Sequence, residues 1–170
     1  MKENKKEPLS EKQIREVMRN WATGVTVVTS NHSNQNHGMT VSSFSSISLE
    51  PPLVMIALER STRTRQLVID SKAFGITILS ENQQEISNQF AGWVTDEGDR
   101  FEGLETFTLD SKSPMIKGGL GYMDCKVESV YEVGTHTLII GEVTSIKINE
   151  GNGTSDPLLY FNQKYHQLKK

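Results

Sequence analysis

Five serines and a threonine crowd the segment Gly38-Met39-Thr40-Val41-Ser42-Ser43-Phe44-Ser45-Ser46-Ile47-Ser48. They alternate with apolar residues, and Glu50-Pro51-Pro52 closes the segment before a second apolar run, Leu53–Leu58. A face of this kind is too polar for plain core and too uncharged for ordinary surface. Small hydroxyls leave room for a flat ligand to reach the backbone, and they offer donors and acceptors without charge. The plain alternative is a half-exposed strand, since alternation by itself signals no more than that. The ligand-lining candidates are Thr40, Val41, Ser42 and Ser43, with Ser45 a looser member. Strand neighbours point to opposite faces, so these side chains cannot all touch one ligand, although their backbones can. Ser61 and Thr62 follow the second run and open a predicted helix, whose N-terminus favours an anion. Arg63 and Arg65 add charge there, while simple helix capping accounts for the Ser equally well.

Other chemistries lack their residues. Gly118-Gly119-Leu120-Gly121 has neither the spacing nor the strand-to-helix setting of a dinucleotide fingerprint, and there is no P-loop. The four histidines, His32, His37, His136 and His166, form no helical pair and no cluster with carboxylates, so a metal site is not expected. No G-x-S-x-G elbow accompanies the many serines. Cys125 is the single cysteine, which excludes an internal disulfide; its strand-like surroundings predict a buried, inert thiol.

The elements that must hold these residues are mostly strands. Ser10 and Gln13 form a capping-box pair ahead of Ile14, Val17, Met18 and Trp21, predicting an amphipathic helix over 11–20. Strands are expected at Gly24–Ser30 and, after a polar turn from Asn31 to His37, at Gly38–Ser48 and Leu53–Leu58. Ser61 is expected to cap a helix running through Ile69, with Leu67 and Val68 inward. A strand over Ala73–Leu79 and a helix over 82–91, started by Ser80 and Gln83, follow. A long loop from Gly92 to Gly103 holds Trp93. The rest reads as β: Leu104–Leu109, Gly121–Glu132, Thr135–Ile148 and Leu158–Phe161. Many strands with short helices between them predict a mainly antiparallel barrel.

A chain of 170 residues suits one domain, expected over 11–170 behind a mobile tail at 1–10. Its 18 basic and 21 acidic residues give a formal charge of −3, which is no footprint for nucleic acid. No apolar stretch is long enough for a bilayer and no secretory leader is legible, so a cytoplasmic protein is expected.

Ala22-Thr23-Gly24-Val25-Thr26-Val27-Val28-Thr29, Met39 to Ser48 and Glu50 to Val54 together resemble the opening of the flavin reductase-like domain family. The resemblance continues through Ser61-Thr62-Arg63-Thr64, Phe74 to Ser80, Gln89-Phe90-Ala91, Asp99-Arg100-Phe101, Cys125-Lys126-Val127, Gly134 to Val143 and Pro157 to Phe161. It covers nearly all of the chain from about Glu11 onward. The family implies an antiparallel split β-barrel with short helices that binds FMN or FAD near the interface of a homodimer. It implies hydride transfer from NADH or NADPH to flavin N5, with reduced flavin passed to a partner monooxygenase. For such a ligand the lining candidates Thr40 to Ser43 and Ser45 would take the ring and ribityl chain and Ser61 and Thr62 the phosphate, and the resemblance implies that Arg100 stands near that phosphate. It also implies that His136 orients the dihydronicotinamide. Two other outcomes are compatible with the same residues: a protein that holds FMN tightly and reduces another acceptor, and a flavin-binding redox module without turnover.

Overall fold

In a computed structural model of the chain, the described residues are 9–92, 98–149 and 155–168. The expected tail is therefore described only at Leu9 and Ser10, and Trp93 lies outside the described residues. The elements run α1 (Glu11–Met18), β1 (Thr23–Gly24), β2 (Thr26–His32), β3 (Gln35–Val41), β4 (Ser45–Leu49), β5 (Pro52–Glu59), α2 (Arg63–Ser71) and β6 (Ala73–Ile78). A 3₁₀ turn at Glu81–Gln83 leads into α3 (Gln84–Phe90). Then come β7 (Thr106–Thr108), β8 (Pro114–Ile116), β9 (Gly121–Val133), β10 (His136–Ile148), β11 (Leu159–Phe161) and β12 (Lys164–His166).

One seven-stranded antiparallel sheet, ordered β3-β2-β6-β9-β10-β5-β4, dominates. Its two edge strands, β3 and β4, are consecutive in sequence and joined by Ser42, Ser43 and Phe44 alone. Seven flat strands would hold their edges roughly 29 Å apart, while the link reaches across only about 14 Å. The sheet must therefore curl until its edges nearly meet, and the barrel is split at the serine segment. Ser43 Oγ spans the gap. It donates to the Ala57 carbonyl at 2.8 Å and accepts the Ala57 N–H at 3.2 Å, standing in for a ladder partner that β5 lacks there.

Inside the curl Val54, Ile56, Leu58, Phe74, Ile76 and Ile139 form one core, with Leu67 and Val68 of α2 also buried. A second cluster, with Val25, Val27, Leu79, Phe90, Ile116 and Leu158, packs beneath α3 and the C-terminal hairpin. Gly141 lies where β10 shifts register against β9, and a Cβ there would meet the Phe74 ring at 2.4 Å. Phe74 is fully buried and cannot swing aside, so Gly141→Ala is expected to destabilise by about 1–3 kcal/mol. A thermal melt with an unchanged midpoint would refute this packing. Burial, and secondarily the Asp124 charge beside it, push the Cys125 thiol up to about 12, as suits an inert core cysteine.

Several expected boundaries are corrected. The predicted strand Gly38–Ser48 is two strands on opposite edges, because the polypeptide crosses the split at Ser42–Phe44. The polar turn at 31–37 shrinks to Ser33-Asn34, with φ 51° and 61°; the flanking residues stay paired, and Asn31 Nδ2 donates to Asn36 Oδ1 at 2.6 Å. Thr62, not Ser61, caps α2. The strand expected over 104–109 keeps only Thr106–Thr108, and β8 and β12 were not foreseen. The capping box at Ser10 forms, and α1 with it, but none of its residues is buried; Ile14, Val17, Met18 and the following Trp21 stay exposed.

Candidate active site

The serine segment that closes the curl also opens onto two adjoining clefts. One, of about 480 Å³, is lined by Trp21, Gly24, Phe44 and Ser45 among others, and the second, of about 530 Å³, by Thr40, Gln84, Asn88 and the C-terminal hairpin. Ser42 and Val25 line both, so the clefts meet at the split. Thr40 and Ser42 share one side of the chain, as strand alternation requires. Thr40 Oγ1 is engaged by the Ser87 carbonyl of α3 at 2.6 Å. Val41 points the other way and is buried, its carbonyl accepting from the Thr26 hydroxyl at 2.9 Å. Val41 can therefore offer a ligand only its backbone, the case that strand alternation allows for among these candidates. Ser43 has its hydroxyl on Ala57, and Ser45 lies opposite Met55.

The remaining candidates fall into two further groups. Ser61 Oγ donates to the Glu59 carboxylate at 3.3 Å, and Thr62 Oγ1 accepts the Arg65 N–H at 3.4 Å. His136 begins β10 directly opposite Glu59, and the Arg60 N–H donates to the Thr135 carbonyl at 3.0 Å, so these residues share one end of the sheet. His136 is exposed, with Nδ1 3.0 Å from Thr135 Oγ1. One strand step from Ser43 to Ala57, a second to Leu138 and two residues along β10 put His136 on the order of 12 Å from Ser43. Ala57, a small residue, occupies the face between them.

A polar network that sequence reasoning missed fixes the hairpin behind His136. Glu132 takes Arg60 Nε at 2.9 Å and an Arg65 guanidinium nitrogen at 2.6 Å, and Thr137 Oγ1 donates to it at 3.1 Å. Arg65 Nε also donates to Thr137 Oγ1 at 3.1 Å. Desolvation opposes ionisation of Glu132, but the hydrogen bonds from Arg65 and Thr137 and the charges of Arg60 and Arg65 outweigh it and lower its pKa. Arg65 was expected to add charge for an anion; two positions beyond Arg63 on α2 it faces another way, and its charge is matched by Glu132. Glu59, Arg60 and Glu132 carried no pattern legible before the strands were paired.

Arg100 stands apart from His136. Its guanidinium donates to the Gly38 carbonyl at 3.1 Å and the Phe90 carbonyl at 3.3 Å. It lines a polar cleft of about 400 Å³ together with Arg63, His37 and Asn36. Arg63 also donates to Gln35 at 3.2 Å, and His37 Nδ1 lies 2.7 Å from Thr64 Oγ1. Two arginines thus converge beside the first turn of α2.

A curled, split antiparallel sheet with an uncharged small-residue crossing at its mouth defines a class of ligand-binding barrel. The model of the flavin reductase like domain matches residues 18–169, and the chain belongs to that family. The NADH-dependent flavin reductase StyB of Pseudomonas fluorescens is 35% identical over 154 residues, covering 90% of this chain and 87% of that protein. The solved flavin reductase PheA2 superposes with a TM-score of 0.85 at 38% identity, covering 95% of this chain and 100% of that one. The NADH:FAD oxidoreductase SgcE6 of Streptomyces globisporus, solved with NAD and FAD fragments, gives a TM-score of 0.85 at 28% identity, covering 96% of this chain and 98% of that one.

Proposed function

We propose that this chain is a flavin reductase, moving hydride from NADH or NADPH to FMN or FAD and releasing reduced flavin to a partner monooxygenase. The observation that carries the reading is the Ser42–Ser45 crossing, an uncharged small-residue segment at the mouth of the split that opens onto two clefts. Similar proteins support it. Besides those above, a 4-hydroxyphenylacetate 3-monooxygenase reductase component of Thermus thermophilus is 30% identical over 155 residues, covering 91% of this chain and 95% of that protein. Among the described residues no helix is long and apolar enough to cross a membrane. A cytoplasmic location is part of this proposal, and a demand for reduced nicotinamide supports it.

The residues fit a flat tricyclic ring. Gly24, Ser42, Ser45 and Ala57 are small, and Trp21 and Phe44 supply apolar rims. Bound flavin supplies the redox chemistry, accepting hydride at N5. The chain binds and orients. Open backbone along Ser42–Ser45 can aim N–H groups at the ring edge that gains negative charge on reduction. His136, across Ala57, holds the dihydronicotinamide in place. Saturable quenching of flavin fluorescence by the purified protein is expected, and its absence would end the reading.

The phosphate end of the flavin is proposed to lie at Arg100, with Arg63 lining the same cleft and Ser61 and Thr62 just before α2. Arg100→Ala is then expected to weaken FMN more than riboflavin, which has no phosphate, with a differential near 1.5–3 kcal/mol for a charged hydrogen bond. Equal losses for the two ligands would mean that Arg100 acts through the local structure it braces and not through the phosphate.

The barrel is proposed to work as a homodimer. Leu49, Tyr131, Val133, Ile146 and Ile148 are all more than half exposed, and so are Val17, Met18 and Trp21 at α1. Exposed apolar side chains at both ends of the β9–β10 hairpin, on β4 and at α1 are what support an association surface. Light scattering behind size exclusion is expected to give twice the chain mass; a monomer that still binds flavin stoichiometrically would contradict the dimer.

A further inference from the structure

The sheet face on which His136 stands carries a second polar side chain, Glu59, which ends β5 directly opposite it. Residues opposed in an antiparallel pair share a face, with Cβ atoms about 5 Å apart. Yet these two side chains do not bond to each other. His136 Nδ1 lies 3.0 Å from Thr135 Oγ1, and the Glu59 carboxylate accepts from Ser61 Oγ at 3.3 Å. Two residues along the ladder, Ala57 and Leu138 are opposed on the same side, both half-buried. They form an uncharged floor that runs from Glu59 and His136 to the Ser43 crossing, where Ser43 Oγ meets the Ala57 peptide.

The charges at this end of the sheet divide between its two faces. Leu58 and Thr137 are opposed and buried, and Glu132 is opposed to Thr137 across β9 and β10, so Glu132 stands on the face away from His136. Arg60 and Arg65 both pair with Glu132 there. Among the described residues the Glu59 carboxylate makes no ion pair, so its negative charge is left uncompensated beside His136.

Hydride transfer can use such a charge. The C4–H bond of the dihydronicotinamide breaks with both its electrons leaving, and an N–H bond forms at flavin N5. The nicotinamide is oxidised and its ring becomes cationic, while the flavin is reduced and takes the matching negative charge. A carboxylate beside the nicotinamide favours the state in which the positive charge has formed. Such an interaction is stronger in the transition state than with the neutral ring, so it raises the rate more than it tightens substrate binding. We propose that Glu59 is an electrostatic partner of the nicotinamide, favouring the cationic ring and the transition state leading to it over the neutral dihydronicotinamide. This rests on the flavin reductase reading, with His136 at the nicotinamide end of the site.

The test uses the full chain loaded with oxidised flavin, and the variants Glu59→Gln and Glu59→Asp. Glu59 is exposed and Gln keeps its shape, so folding risk is small, and circular dichroism checks both variants. Calorimetry compares NAD⁺ with the tetrahydro analogue of NADH, whose ring is neutral and gives up no hydride. In Glu59→Gln the affinity for NAD⁺ is expected to fall at least ~3-fold relative to that for the analogue, within the range for a part-exposed charge contact. Glu59→Asp, which keeps the charge, should hold most of the wild-type ratio. Stopped-flow reduction by NADH should show a limiting rate lower by a similar factor in Glu59→Gln, with the dependence on NADH concentration little changed. A residue that only braced Ser61 would weaken both ligands alike. An unchanged ratio of the two affinities in Glu59→Gln, or no binding of either ligand by a wild type that turns over, overturns the assignment alone. A wild type that reduces no flavin with NADH or NADPH overturns the reductase reading and this assignment with it.

Discussion

His136→Ala is expected to slow reduction of bound flavin by NADH about 100-fold, the cost of a small misplacement of reacting groups, while flavin affinity changes far less. The imidazole is exposed at the first residue of β10 and paired through the ladder to Glu59 and Val133. The Glu132 network with Arg60, Arg65 and Thr137 holds the hairpin on which it stands. A side chain so placed can orient a second ring above the one at the split. Hydride transfer needs no general base, so the variant should keep a residual rate. Stopped-flow reduction at several NADH concentrations separates binding from transfer. A wild-type rate throughout would leave His136 a strand residue and nothing more.

The second large effect is steric. Ser42→Trp and Ser45→Trp are each expected to raise the flavin Kd at least ~10-fold, equivalent to about 1.4 kcal/mol, without loss of the fold. Ser42 sits where the two clefts meet and Ser45 lines one of them, so an indole at either fills space the ring requires. Ser43 is the instructive control. Its hydroxyl bridges to both polar atoms of the Ala57 peptide across the split, so Ser43→Ala should lower thermal stability more than it lowers flavin affinity. Unchanged flavin titrations in both tryptophan variants would remove the crossing from the site.

The strands were legible wherever one face is buried. Leu53–Leu58 alternates against the core as Val54, Ile56 and Leu58, and Leu67 and Val68 are the inward residues of α2. The crossing was misread as continuous strand because Ser42 and Ser43 are as compatible with a ladder as with a gap. Only the sheet order, with β3 and β4 on opposite edges, separates those cases. For the same reason the sequence could nominate Thr40 to Ser45 but not say that Val41 faces the core and Ser43 the Ala57 peptide. Arg65 was invisible as a hairpin brace because Glu132 lies 67 residues away and meets it only after β9 and β10 pair. The C-terminal hairpin was half seen: Leu158–Phe161 is apolar, whereas Lys164–His166 has no pattern, and its turn depends on Asn162 and Gln163 at φ 49° and 62°.

The central claim is turnover of flavin by a reduced nicotinamide. The most direct measurement is oxidation of NADH, and separately NADPH, followed at 340 nm with purified protein and added FMN or FAD. Flavin-dependent, saturable oxidation of at least one nicotinamide, far above the rate of flavin alone, is the predicted result. Oxidation at the background rate with every nicotinamide and flavin pair, by protein that binds flavin, would contradict the account.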